Sequence, residues 1–149
     1  MIIVECYTDE YFVKLLGLKG KKHEGGKGKV LERVRENPGA IGIIDEDPDS
    51  NQPSERYEYI EYDRRSTIKL LVKKGDKSKK VIEISPDLEG WILARAKKNQ
   101  ISPKSYGLTD NPHELHSTHM ERNKNFRKFM DELVKTDDEE IDLLRKWLK

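Results

Sequence analysis

Met1-Ile2-Ile3-Val4-Glu5 and Ala40-Ile41-Gly42-Ile43-Ile44-Asp45-Glu46-Asp47 are the two stretches whose reading decides the fold. Each is a short, β-branched apolar run that stops at an acid. A buried parallel strand ending at a functional edge has this form. Between them lie helix signals. Thr8 can cap a helix whose first turn holds Asp9 and Glu10, and Tyr11, Phe12, Leu15 and Leu16 supply its apolar stripe before Gly17 stops it. Residues 18–27 are rich in Lys and Gly and read as a short strand or loop. A second helix is expected from about Gly28 to Glu36, with Val30, Leu31 and Val34 facing inward, and Asn37-Pro38-Gly39 ends it. Strand, helix, short strand, helix, strand is the order of an α/β fold with a mainly parallel sheet.

Consecutive parallel strands return in the same direction, so their carboxyl ends share one edge, where open α/β sheets bind ligands. If the two apolar runs are neighbours, Glu5, Asp45 and Asp47 converge. Asp45 and Asp47 are one residue apart, so in extended chain their side chains point the same way. Clustered carboxylates repel unless a cation lies between them, which implies Mg²⁺ or Mn²⁺. Such an ion polarises a phosphodiester and activates water, with Glu5 as ligand or general base. Asp-x-Asp followed by Pro48 and Asn51 is also ordinary turn chemistry.

The remaining chain supplies fewer strands and more helices. Residues 45–65 are acidic and Tyr-rich and read mostly as a long loop at the functional edge. Thr67–Val72 and Lys80–Ile84 read as strands joined through Gly75-Asp76. Ser85-Pro86 opens a helix that carries Leu88, Trp91, Ile92 and Leu93 to about Lys98, with Pro at its first position. Residues 99–120 read as irregular. Phe126, Phe129, Met130, Leu133 and Val134 follow helical spacing. Thr136-Asp137-Asp138-Glu139 fits a capping box for a last helix whose inner face is Ile141, Leu144, Trp147 and Leu148. These C-terminal helices are expected to cover one sheet face or to form the seam of a homodimer.

Composition sets the bounds. The 149 residues suit a single domain, with its core in about 1–98 and a helical extension in about 121–149. Hydrophobic residues are 34% and charged residues 38%, but the apolar ones fall in periodic blocks, which argues for a folded chain. The net charge of +1 gives no global field toward polyanions, so nucleic-acid contacts must use local clusters such as Lys19–Lys22, Lys73–Lys80 or Arg95–Lys98. One cysteine, Cys6, precludes an internal disulfide and suits a reducing cytoplasmic setting. No apolar run approaches the roughly 20 residues that cross a bilayer, so no membrane partner is expected.

Ile3-Val4-Glu5-Cys6-Tyr7-Thr8-Asp9-Glu10-Tyr11-Phe12 resembles the VEGxTDxxFL opening of TOPRIM domains, the topoisomerase–primase modules shared with OLD-type nucleases. Gly42-Ile43-Ile44-Asp45-Glu46-Asp47 resembles the strand end that carries their Asp-x-Asp. Pro86-Asp87-Leu88-Glu89-Gly90-Trp91-Ile92-Leu93 resembles a P-x-x-E-x-W-L-L helix start of some stand-alone members. The resemblance covers about residues 1–98. It implies a TOPRIM-like α/β fold and Mg²⁺-dependent phosphodiester chemistry on DNA or RNA, most simply nuclease-like hydrolysis. It assigns Glu5 as general acid/base or ligand, Asp45 and Asp47 as metal ligands, and Glu89 as an additional acid, with Asp49 available as a supporting one. The family has Gly where this chain has Cys6, and a side chain there narrows the approach of a phosphate. That departure keeps two alternatives open: a non-catalytic module acting with a partner protein, and an enzyme on small phosphorylated molecules.

Other constellations carry weaker signals. Gly25-Gly26-Lys27-Gly28-Lys29 precedes a helix, so Lys27 and Lys29 are candidate substrate-phosphate contacts, though the P-loop spacing is absent. His113, His116 and His119 recur every third residue, but without the HExxH spacing they read as polar surface. Cys6 reads as a small side chain at a strand end rather than a nucleophile. Tyr57, Tyr59 and Tyr62 can stack on bases, or pack a loop onto the sheet.

Overall fold

The computed structural model describes residues 1–22, 26–116 and 119–149. Gly25 of the glycine–lysine motif lies outside them. In chain order the elements are β1 (Ile2–Val4), α1 (Tyr7–Leu15), β2 (Gly20–Lys22), α2 (Gly26–Glu36), β3 (Ile41–Asp45), β4 (Tyr59–Arg65), β5 (Ile68–Lys73), β6 (Asp76–Ile84), α3 (Leu88–Lys98), α4 (Pro112–Leu115), α5 (Lys124–Val134) and α6 (Glu139–Leu148). Short 3₁₀ turns occupy Ser54–Glu58, Pro103–Tyr106 and Met120–Arg122.

The strands form one six-stranded mixed sheet in the order β2-β1-β3-β6-β5-β4. β2, β1, β3 and β6 are parallel, while β5 runs antiparallel to both of its neighbours. The two decisive apolar runs are adjacent: Ile2 pairs with Ile41 and Ile3 with Gly42. The fold is therefore α/β and mostly parallel, as the order of elements predicts.

Alternation along the strands divides the core between two sheet faces. Ile3, Ile44, Leu71 and Val81 face α2 and meet Val30, Leu31 and Val34. Ile2, Val4, Ile43, Ile68, Leu70 and Ile82 belong to a larger cluster with Phe12, Trp91, Phe126, Phe129 and Leu144. The C-terminal helices thus belong to the main core rather than extending it. Gly42 is where α2 lies closest to the sheet: a Cβ there would stand 2.9 Å from both Val30 Cγ1 and Val34 Cγ2.

Several local expectations are corrected. α1 begins after Cys6, two residues before Thr8, because Asp9 turns back to accept the Cys6 N–H at 3.1 Å. Residues 45–65 are not mainly loop: Tyr59–Arg65 is an edge strand with a bulge between Glu61 and Asp63. Pro86 precedes the cap of α3, which is Asp87, whose side chain accepts the Gly90 N–H at 2.7 Å. α6 is capped by Asp138 rather than Thr136. Among the described residues of 99–116, only α4 and the turn at Pro103–Tyr106 are regular.

Arg95 does not belong to a solvent-facing basic cluster. Its guanidinium is buried between α3 and α6, bonded to both Asp138 oxygens through Nε at 2.9–3.0 Å and to Glu140 through Nη1. Glu140, fully buried, also accepts the Thr67 N–H at 3.2 Å just before β5. This network ties α3, α6 and the β5 end of the sheet together. Arg95→Ala leaves two acids buried without their cation, and its cost is expected at about 3–5 kcal/mol in urea unfolding. Arg95→Lys, with its point charge in place of a planar fork, is expected to recover only part. A loss below about 1 kcal/mol for the alanine variant would contradict the role given to this cation.

Candidate functional site

β1 and β3 deliver Glu5 and Asp45 to one edge of the sheet. Glu5 follows the last residue of β1, and its Oε2 accepts the backbone N–H of Asp45 at 3.2 Å. Asp45 closes β3 and accepts the Leu88 N–H at 2.9 Å, joining the strand end to the first turn of α3. Asp9, in the first turn of α1, accepts the N–H groups of Glu5 and Cys6 at 3.2 and 3.1 Å. Glu89, in the first turn of α3, is 6% exposed and lies 2.8 Å from His116 Nδ1. Asp47 sits two residues beyond β3 with φ at 46°. That left-handed backbone breaks the extended alternation expected for Asp-x-Asp.

These groups enclose a cavity of about 310 Å³ lined by Glu5, Cys6, Asp9, Asp45, Asp47, Asp87, Glu89, Pro112, His113 and His116. The three acids of the two strand ends therefore share one rim, together with Glu89. Asp49 is exposed and does not line it. His113 and His116 are brought to the cavity by α4 and the residue after it, a correction to their reading as plain surface. His119 instead bonds Glu121 at 2.9 Å and lies against Tyr7, ring centroids 5.2 Å apart.

The flanking lysines have structural partners. Lys27 is buried, and its Nζ donates to the Glu46 carbonyl at 2.9 Å and to Gln52 Oε1 at 2.7 Å, 3.8 Å from Asp47. It holds the turn after β3 in place. Lys29 bonds Glu32 one helical turn on, at 2.7 Å, and does not line the cavity. Lys69 reaches Glu46 at 3.3 Å from the neighbouring strands. Of the tyrosines, Tyr59 packs into the core facing α2, while Tyr57 and Tyr62 are exposed.

Crowding dominates the electrostatics. Burial, then the charges of Asp9, Glu5, Glu89 and Asp47, lifts Asp45 to about 10. Burial and Asp9 lift Glu5 to about 7, although the Asp45 N–H pulls the other way. Asp9 rises to about 6, chiefly through burial, and Asp47 rises for the same main reason. Burial and Asp9 also push the Cys6 thiol up, which removes the thiolate a nucleophile needs. His116 is raised by its bond to Glu89.

Among the described residues, no three Asp, Glu, His or Cys side chains are gathered closely enough to hold a metal ion as they stand. The hydrogen bonds explain this, since Glu5, Asp9 and Asp45 each point a carboxylate oxygen at a backbone N–H. Comparison of the chain with known protein families, with curated proteins and with solved structures gives no match. No helix among the described residues is long and apolar enough to cross a membrane.

Asp9, Asp87, His113 and His116 line this cavity and were not singled out for it by sequence patterns. Asp9 carried a readable signal, as an acid three residues after the cap position. The histidines carried none, because only tertiary packing brings α4 to the strand ends.

The crowding has a measurable sign. Glu5 and Asp45 titrate near 4.5 and 3.8 in an unfolded chain but near 7 and 10 here. The folded state thus binds more protons than the unfolded one from about pH 4 upward, and stability falls as pH rises through this window. In metal-free buffer the thermal midpoint is expected to fall steadily from pH 5 to pH 8. Asp45→Asn keeps an acceptor for the Leu88 N–H and removes the charge, so it is expected to raise the midpoint at pH 8 and flatten the decline. An unchanged decline would show that Asp45 does not carry the repulsion.

Proposed function

We propose that this cavity takes a Mg²⁺ or Mn²⁺ ion and hydrolyses phosphodiester bonds of nucleic acid, within a TOPRIM-like fold. The observation that carries the reading is the convergence of Glu5, Asp45 and Asp47 at the carboxyl ends of two adjacent parallel strands. The donor chemistry suits the ion: several carboxylates and no thiolate make an oxygen-rich set for a hard cation. Asp45, Asp47 and Glu89 would hold it, exchanging their present bonds for coordination. Once bound, the cation would polarise the scissile phosphodiester and make an attacking water more acidic.

The chain's own groups supply the rest. Glu5 lines the cavity beside the acids that would hold the ion, so its carboxylate can accept a proton from the attacking water. His116, which lines the cavity 2.8 Å from Glu89, is the imidazole that the exchange at Glu89 would release. Lys27 fixes the turn carrying Asp47 from beneath, which keeps that carboxylate at the rim without filling the cavity.

A second reading rests on a specific feature. Cys6 lines the cavity where the resembling family has Gly, and three acids are engaged by backbone N–H groups. Those two facts favour a module that binds without cleaving, in concert with a partner protein.

The test is incubation of labelled single- and double-stranded DNA and RNA with Mg²⁺ or Mn²⁺. Cleavage is expected from the wild type and a loss of at least about 100-fold from Asp45→Ala, with an unchanged circular dichroism spectrum. Mn²⁺ titration by calorimetry should show binding to the wild type that Asp45→Ala removes. Equal cleavage by both proteins sinks the hydrolytic reading. Metal binding without any cleavage favours the non-catalytic module.

A further inference from the structure

The β5–β6 hairpin is the most strongly charged surface outside the cavity. Lys73, Lys74, Lys77, Lys79 and Lys80 fall within eight residues, and Asp76 is the one acid among them. Asp76 is itself occupied by Ser78, whose N–H it accepts at 3.1 Å. None of the five lysine side chains has an ion-pair or hydrogen-bond partner among the described residues, unlike those of Lys27, Lys29 and Lys69. The chain as a whole carries +1, so this hairpin at +4 leaves the remainder at −3 (five Lys less one Asp, then +1 less +4). The acids of the cavity lie at the carboxyl ends of β1 and β3, and these five lysines lie toward the opposite end of β6.

The register shows how far apart these poles lie. Asp45 pairs with Ile84 at the end of β6, while β3 begins opposite Lys80, so Asp76–Lys79 project past the start of β3. From Asp76 to Ile84 an extended strand covers roughly 26 Å, at about 3.3 Å per residue. About eight base pairs of duplex span that length. Aromatic surface adjoins the lysines. The Lys74 N–H donates to the Glu58 carbonyl at 2.8 Å, which brings the exposed Tyr57 and Ile60 next to the hairpin. Glu58 and Asp76 together leave the neighbourhood at a net +3.

We propose that this hairpin is a polynucleotide-binding surface, with its lysines on phosphates and Tyr57 available to a base. The choice of a nucleic acid rests on the function proposed above, and deepens it by making the substrate a polymer rather than a small phosphorylated molecule. A polymer is the one substrate long enough to touch both poles. An anionic membrane fits less well, because the Gly75-Asp76 tip offers an acid and no apolar side chain to insert.

The experiment measures binding apart from cleavage. The full chain is titrated into fluorescein-labelled duplex and single strands of about 20 nucleotides, in EDTA, over a range of salt. Lys77→Glu with Lys79→Glu is expected to weaken binding at least about tenfold and to lower the log–log salt slope by about 2. Lys124→Glu with Lys128→Glu, the same charge change on α5, should weaken it far less. Equal effects of the two pairs, no binding by the wild type, or sedimentation of the wild type with phosphatidylserine vesicles in place of nucleic acid, would each overturn the proposal. Binding without cleavage would leave this surface standing and remove the hydrolytic reading. Cleavage that survives the hairpin substitutions at unchanged affinity would do the reverse.

Discussion

The parallel pairing of β1 with β3 is the constraint from which the site follows. Both strands are apolar almost throughout, and burial on two faces leaves them no alternative partner surface of comparable quality. Once Ile2 lies beside Ile41, the residues that follow each strand must meet, whatever their charge. Gly42 permits α2 to close directly over this pair. The hydrophobic energy of the sheet thereby forces Glu5 and Asp45 into a proximity that their own electrostatics oppose.

The fold manages that opposition locally. Backbone N–H groups of Cys6, Asp45 and Leu88 accept the role of counter-charges, each turned toward one carboxylate. These are dipoles rather than cations, so they soften the repulsion without cancelling it, and protons complete the compensation. Real cations are placed just outside the rim. Lys27 and Lys69 serve the turn at Glu46, and Arg56 bonds Glu83 at 2.7 Å. A lysine inside the cavity would have settled the charge permanently. Among the described residues no lysine lines it, which leaves the negative charge open to an external partner. Elsewhere the same chain neutralises buried acids with its own cation, as Arg95 does for Asp138 and Glu140. The contrast between these two acidic groups within one core separates a structural cluster from a candidate functional one.

How much of this was legible in the sequence varies with the range of the interaction involved. β1, β3 and the two helices between them were readable because short apolar runs and a 3.6-residue stripe are local signals. β4 was not, because only Tyr59 of its seven residues is buried and its polar remainder reads as loop; pairing with β5 makes it a strand. Position at the strand ends singles out Glu5, Asp45 and Asp47, and the family resemblance adds Glu89; the structure brings all four to one cavity. Lys27 was found as a charge next to the site, but its partners, Glu46 and Gln52, come from a turn whose path the sequence does not disclose. Cap positions slipped by two residues, with Cys6 in place of Thr8 and Asp138 in place of Thr136, because the carboxylates of Asp9 and Asp138 are the groups that accept N–H bonds at the two helix starts.

The distribution of charge binds these features into one argument. A chain of nearly zero net charge can still present strong local fields, and here sheet direction sets the cavity acids and the hairpin lysines apart. Parallel strands put their carboxyl ends, with the acids, on one side. The antiparallel return of β5 puts a lysine-rich turn on the other. A phosphate backbone approaching the acidic pole alone would be repelled, and a metal ion there neutralises only its immediate surroundings. A basic surface some two dozen ångströms away supplies attraction where it does not quench the acids: at roughly three Debye lengths in physiological salt, the lysines and carboxylates scarcely sense one another. Under the proposed function, separation of the poles would let the acidic cavity exchange its protons for a cation while the lysines attract a polyanion.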